Sequence, residues 1–178
     1  MKTIEKTYDF VVCGGGIGGC LTAISASRHG LKVALIDNKT GLGGNANSDI
    51  GVTIEGASFN CFFANMREGG LVEELKERIA EIDKFGKNSL TSPVLLFWCA
   101  EEKVDVYSEL HIHSVEMDGN RIASVAGAQG GTERFYKFNA PQFCDATGDG
   151  TIAFLAGASF SMGREAKSEY GEIMAPEQ

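Results

Sequence analysis

"YDFVVCGGGIGGCLTAISASRHGLKVALID", Tyr8 to Asp37, decides the fold. Tyr8 to Cys13 is a short apolar run of β-formers, the pattern of a strand buried on both faces. Five of the six residues from Gly14 to Gly19 are glycine, and the period then changes. Ile17, Leu21 and Ile24, with the small Ala23 and Ala26, recur at helical spacing as far as His29. Gly30 stands where a helix ends in a left-handed residue. Leu31 to Ile36 is a second apolar run, closed by Asp37. The order strand, glycine turn, helix, strand is a βαβ unit with a right-handed crossover.

Gly14, Gly16 and Gly19 fit G-x-G-x-x-G. The first permits a tight turn, the second lets backbone approach a pyrophosphate, and the third lets helix pack on strand. Amides at the helix head then meet a diphosphate with a favourable dipole. The carboxylate of Asp37 stands where it can accept hydrogen bonds from ribose hydroxyls and would repel a 2′-phosphate, which disfavours NADP. A glycine motif alone is weak, but here it has its strand, its helix, its second strand and its terminal acid. The stretch is a dinucleotide site, open at this point to FAD or NAD.

Working outward, 178 residues suffice for one domain, and 43% hydrophobic with 22% charged residues is ordinary for a globular chain. A net charge of -8 argues against nucleic acid or an anionic membrane as partner. No apolar run approaches a membrane span, and "MKTIEKTYDF" lacks a signal-peptide core, so a cytoplasmic location is expected. The five cysteines are scattered without C-x-x-C spacing and read as buried thiols.

After Asp37, "GLGGNANS" (Gly41 to Ser48) adds a second glycine pair, and "FCDATGDG" (Phe143 to Gly150) is a short strand running into a glycine turn, followed by "TIAFLAGA". Together, "DFVVCGGGIGG", "VALIDNKTGLGGNA", "CDATGDGTIAFLAGA" and "GREAKSEYGE" resemble the FAD-dependent oxidoreductases of the glutathione-reductase-like superfamily, over most of the chain except roughly 49–92. The resemblance implies a Rossmann-like α/β FAD-binding fold, with a parallel sheet and a three-stranded β-meander crossover. It implies FAD with its diphosphate on Gly14, Gly16, Ile17, Gly18 and Gly19 and its adenosine ribose on Asp37 and Asn38. Gly43, Gly44 and Asn45 would pass near the diphosphate and ribityl chain, and Ala146, Thr147, Gly148 and Asp149 would form a turn beside the cofactor. The backbone of Ile112 would touch the adenine. Relatives of this kind are longer, so a missing C-terminal region or a partner chain would complete the flavin site, and turnover by this chain alone is an open expectation.

The remaining segments agree. Val104 to Tyr107 reads as a third parallel strand, Gln142 to Asp145 as a fourth, and 108–141 as a meander with turns at Asp118-Gly119-Asn120 and Gly130-Gly131. Leu71, Leu75, Ile79 and Ile82 share one face of a helix, with Glu73, Glu77, Lys76 and Arg78 on the wet side. A second helix spans Pro93 to Lys103, with Leu95, Leu96, Trp98 and Cys99 inward. The whole chain, 1–178, is read as one FAD-binding domain, with 49–92 an insertion toward flavin and a small-molecule substrate.

No catalytic side chain announces itself, since a flavin ring does the hydride chemistry and the protein supplies position. His111 and His113 share a strand face without a third ligand, so surface or adenine-side histidines are expected and no metal. Cys144 reads as a buried small residue; Cys61 is the better redox candidate. "GREAKSEYGE" is balanced between a solvated helix face and a segment beside the active site. The expected function is hydride transfer between a small organic substrate and flavin. The alternatives are a nucleotide-binding module without catalysis, and an NAD-binding reductase, which the meander and "ATGD" disfavour.

Overall fold

The computed structural model describes residues 3–54, 69–82 and 90–177. Strand β1 (Thr3–Thr7) precedes the βαβ unit of β2 (Phe10–Cys13), α1 (Ile17–Arg28) and β3 (Val33–Ile36). Helices α2 (Leu71–Ile82) and α3 (Thr91–Glu101) lead to β4 (Asp105–Tyr107). The meander β5 (Leu110–Asp118), β6 (Arg121–Gln129) and β7 (Arg134–Asn139) returns into β8 (Gln142–Asp145), with α4 (Thr151–Leu155) and α5 (Lys167–Tyr170) after it.

Among the described residues the strands form two four-stranded sheets. The first is parallel, in the order β4-β3-β2-β8, and the second holds the antiparallel meander with β1 added alongside β7, in the order β1-β7-β6-β5. The parallel sheet lies between two layers, and strand alternation sorts its side chains between them. Val12, Val33 and Leu35 pack with the helices around Trp98, Leu95 and Ile24. Val11, Cys13, Ala34 and Ile36 pack with Tyr136, Phe138 and Leu110 of the meander.

Local chemistry accounts for the element ends. α1 stops at Arg28, and Gly30 follows at φ 85°, a conformation that costs glycine nothing. The β5–β6 hairpin turns at Gly119-Asn120, with Gly119 at φ 60°.

Several sequence expectations shift. The first strand of the βαβ unit starts at Phe10 rather than Tyr8, and Tyr8 is instead a buried inter-sheet residue. β1 lacks any apolar face that would announce it. The second helix begins at Thr91 and ends at Glu101, and Leu96 faces outward at 38% exposure. On α2, Leu75 and Ile79 are buried, whereas Ile82, in the helix's last turn, is 61% exposed. Lys76 and Arg78 are half-buried rather than fully wet. Cys61 and much of 49–92 lie outside the described residues. No helix among the described residues is long and apolar enough to cross a membrane.

Candidate functional site

The parallel strands β3, β2 and β8 end side by side, and the chain turns away from each end differently. That divergence opens a cleft of about 510 Å³. β2 runs into the glycine turn and the head of α1. Gly14 sits at φ 108°, and a Cβ on it would lie 2.3 Å from the Ala146 carbonyl oxygen. A Cβ on Gly19 would lie 1.8 Å from the Gly14 carbonyl oxygen. These two glycines let backbone pack on backbone. Gly16 and Gly18 differ: nothing stands within 4 Å of where their Cβ atoms would be. Gly16 begins α1 without a capping side chain, and no acidic residue occupies the first turn. The leading amides therefore keep their hydrogen-bonding capacity and the positive end of the helix dipole.

β3 delivers Asp37. It is 7% exposed, and its Oδ2 is buried without a hydrogen-bond partner. The Asn38 amide donates to Oδ1 at 3.0 Å. Burial raises the carboxyl pKa above its ordinary value, while the nearby amides of Gly15, Asn38 and Lys39 pull it down. A buried acceptor left unpaired is costly, and hydroxyl donors from a ligand would relieve it.

The second glycine loop is tied to the first. The Gly43 amide donates to the Gly15 carbonyl at 2.8 Å, and Gly43 pairs with Gly16 as an isolated parallel bridge. Gly43 and Gly44 take φ 106° and 59°, with a short 3-10 turn at Gly44–Ala46. β8 ends in the turn Ala146 to Asp149. The meander contributes the buried Ile112 on β5, the last strand of its sheet among the described residues, whose Leu110 amide donates to the Asp37 carbonyl at 2.9 Å.

Of the cofactor-binding residues expected from the sequence, all but Gly14, Gly18 and Gly19 line this cleft. Sequence reasoning missed Lys39; His111, expected as a surface or adenine-side histidine, lines the cleft, as do Val52, Thr53 and Ile54 of the segment expected to reach toward flavin, though none of these three was singled out. Val52 to Ile54 carry no periodicity, so nothing in their spacing could have placed them. His111 and His113 are both exposed, and no metal-binding group of His, Cys, Asp or Glu occurs among the described residues. Cys144 is half-buried and burial raises its thiol pKa, which makes it a poor nucleophile. Gly163 to Glu172 is largely exposed, with one helical turn and an Arg164–Glu172 ion pair at 3.1 Å.

Comparison with known proteins fits this geometry. The model of the family described as FAD dependent oxidoreductase matches residues 9–178, and the chain belongs to that family. Glutathione reductase of Schizosaccharomyces pombe is 50% identical over 44 residues, which is 25% of this chain and 10% of that protein. Among solved structures, a geranylgeranyl bacteriochlorophyll reductase-like protein from Thermoplasma acidophilum aligns with TM-score 0.60 at 18% identity, over 88% of this chain and 43% of that one. A myxobacterial FAD-dependent halogenase aligns with TM-score 0.58 at 15% identity, over 81% of this chain and 38% of that one. At such identities the likeness is one of fold, and the fold is Rossmann-like. The chain spans less than half of these structures.

Proposed function

We propose that this member of the FAD-dependent oxidoreductase family binds FAD in the cleft and serves hydride transfer between flavin and a small organic substrate. The observation that carries the reading is the buried, unpartnered Oδ2 of Asp37 beside an uncapped helix head whose Gly16 leaves open space in the cleft. Anion-seeking amides and a donor-seeking carboxylate at adjacent strand ends match a diphosphate followed by a ribose.

In this reading the amides of Gly16, Ile17 and Gly18 hold the diphosphate, and Asp37, with Asn38 beside it, holds the adenosine ribose. The backbone of Ile112 meets the adenine. Gly43, Gly44 and Asn45 run along the diphosphate and ribityl chain, and Ala146 to Asp149 line the far side. FAD supplies the hydride acceptor or donor when bound. The chain's own task is to orient and to exclude water, for which Val52 and Ile54 offer an apolar wall. The substrate side is completed by a further region or a partner chain; the open cleft and the partial span of the structural relatives support this.

The test is spectroscopic. The purified chain, supplied with FAD, is expected to retain a flavin absorption band that bleaches under anaerobic addition of a small organic hydride donor. Retention without bleaching by any alcohol, amine, hydroxy acid or reduced nicotinamide would reduce the chain to a binding module. Failure to retain FAD overturns the reading.

A further inference from the structure

The turn after β8 is held by a side chain that does not itself line the cleft. Asp145 is exposed, yet both its oxygens are engaged. Oδ1 accepts from the Thr147 amide at 3.0 Å and from the Thr147 hydroxyl at 2.6 Å, and Oδ2 accepts from the Ala153 amide at 2.8 Å. The Thr147 hydroxyl in turn accepts from the Thr151 amide at 2.8 Å. On its other side the turn is pressed against the glycine motif. The Ala146 amide donates to the Cys13 carbonyl at 2.7 Å, and only the missing Cβ of Gly14 leaves room for the Ala146 carbonyl.

We infer that Asp145 is a positioning residue that fixes the Ala146–Asp149 turn along the flavin-side half of the cleft. The inference rests on the proposed reading of the cleft as an FAD site. Three donors bond the side chain, so a carboxylate fits where an amide would offer one oxygen and a misplaced NH2. Because Asp145 is exposed, its bonds add little to global stability, and their effect is to select one conformation of a five-residue stretch that ends in Gly150 at φ 63°.

Topology places this effect at one end of the cleft. β3 and β8 flank β2 on opposite sides, so the turn stands about 10 Å from Asp37, two strand spacings away. A ligand reaching only from Asp37 to the head of α1 does not need the turn; one that continues past the diphosphate does.

The test titrates FAD and ADP separately into wild type, Asp145→Ala and Asp145→Asn, with thermal unfolding of each nucleotide-free protein. FAD affinity is expected to fall roughly tenfold in Asp145→Ala and roughly threefold in Asp145→Asn, which retains one acceptor. ADP affinity is expected to stay within about twofold. Unchanged FAD affinity in Asp145→Ala overturns the inference, as does a parallel loss of FAD and ADP affinity with a fall in Tm, which marks a merely structural role. Wild type that binds ADP but no FAD instead overturns the reading of the cleft on which the inference stands.

Discussion

Asp37 carries a stability cost that the proposed ribose contact would explain. Its folded-state pKa is raised by burial, so the favourable contribution of its protonated form is present below the unfolded carboxylate value near ~4 and lost as pH rises through the folded value. Holding this buried carboxylate ionised weighs against the nucleotide-free fold as pH rises above that value. Asp37→Asn is therefore expected to raise the Tm of the nucleotide-free chain by roughly 2–4 °C at pH 7, with the gain vanishing below about pH 4, while FAD affinity falls at least about tenfold. Calorimetry across that pH range, paired with FAD titration, checks both signs. The glycines divide in the same manner. Gly19→Ala forces a Cβ to within 1.8 Å of the Gly14 carbonyl oxygen, and a loss of about 1–3 kcal/mol or more in denaturant unfolding is expected. The motif revealed which residues are glycine; only the packing separates those whose Cβ would strike backbone from those whose Cβ would meet open space.

Among the elements, the helix layer and the inter-sheet layer are held by different forces. Trp98 is fully buried where α1, α2 and α3 meet, with the Arg78 and Arg28 guanidinium carbons 4.5 and 5.3 Å from its ring centroid. Trp98→Ala should cost about 3–5 kcal/mol, whereas the surface ion pairs of Arg78 with Glu74 and Glu101 contribute about 1 kcal/mol or less each. Urea unfolding of Trp98→Ala and Arg78→Ala ranks the two. Between the sheets, the Tyr8 hydroxyl donates to Asp105 Oδ2 at 2.7 Å and shares a 2.7 Å hydrogen bond with Tyr107. Burial, then these bonds, push the Tyr8 pKa well above its ordinary value. That contribution is full below the unfolded tyrosine value near ~10 and fades above it. The stability lost in Tyr8→Phe, about 1 kcal/mol, should thus shrink as pH is raised past ~10. Elements with a clear period were legible from sequence, and those without were not. β1, "TIEKT", has no apolar face and is ordered by parallel pairing with β7 far along the chain. In α3 the run Leu95-Leu96-Phe97-Trp98 is apolar all round, so its periodicity could not tell that Leu96 and Phe97 face outward.

At the scale of the whole molecule, the site follows from topology. Parallel strands all point their C-terminal ends one way, and a helix after one, a loop after the next and a turn after the third leave a crevice where they part. The βαβ half of that crevice was readable because its residues are contiguous in sequence and each carries a distinct physical demand. Ile112 on the meander side, and the flavin-side insertion that holds Val52 to Ile54, were expected only from the family resemblance, since long connections bring them there and no local pattern records it. The central claim is that open space at the head of α1 exists for a flavin nucleotide. Its most direct measurement is equilibrium titration of FAD into wild type and Gly16→Val, alongside the Tm of each nucleotide-free protein. Gly16 has extended backbone at φ -63°, ψ 174° and no neighbour for a Cβ to strike. The account predicts an unchanged Tm with FAD affinity reduced by about tenfold or more; equal FAD affinity in the two proteins would contradict it.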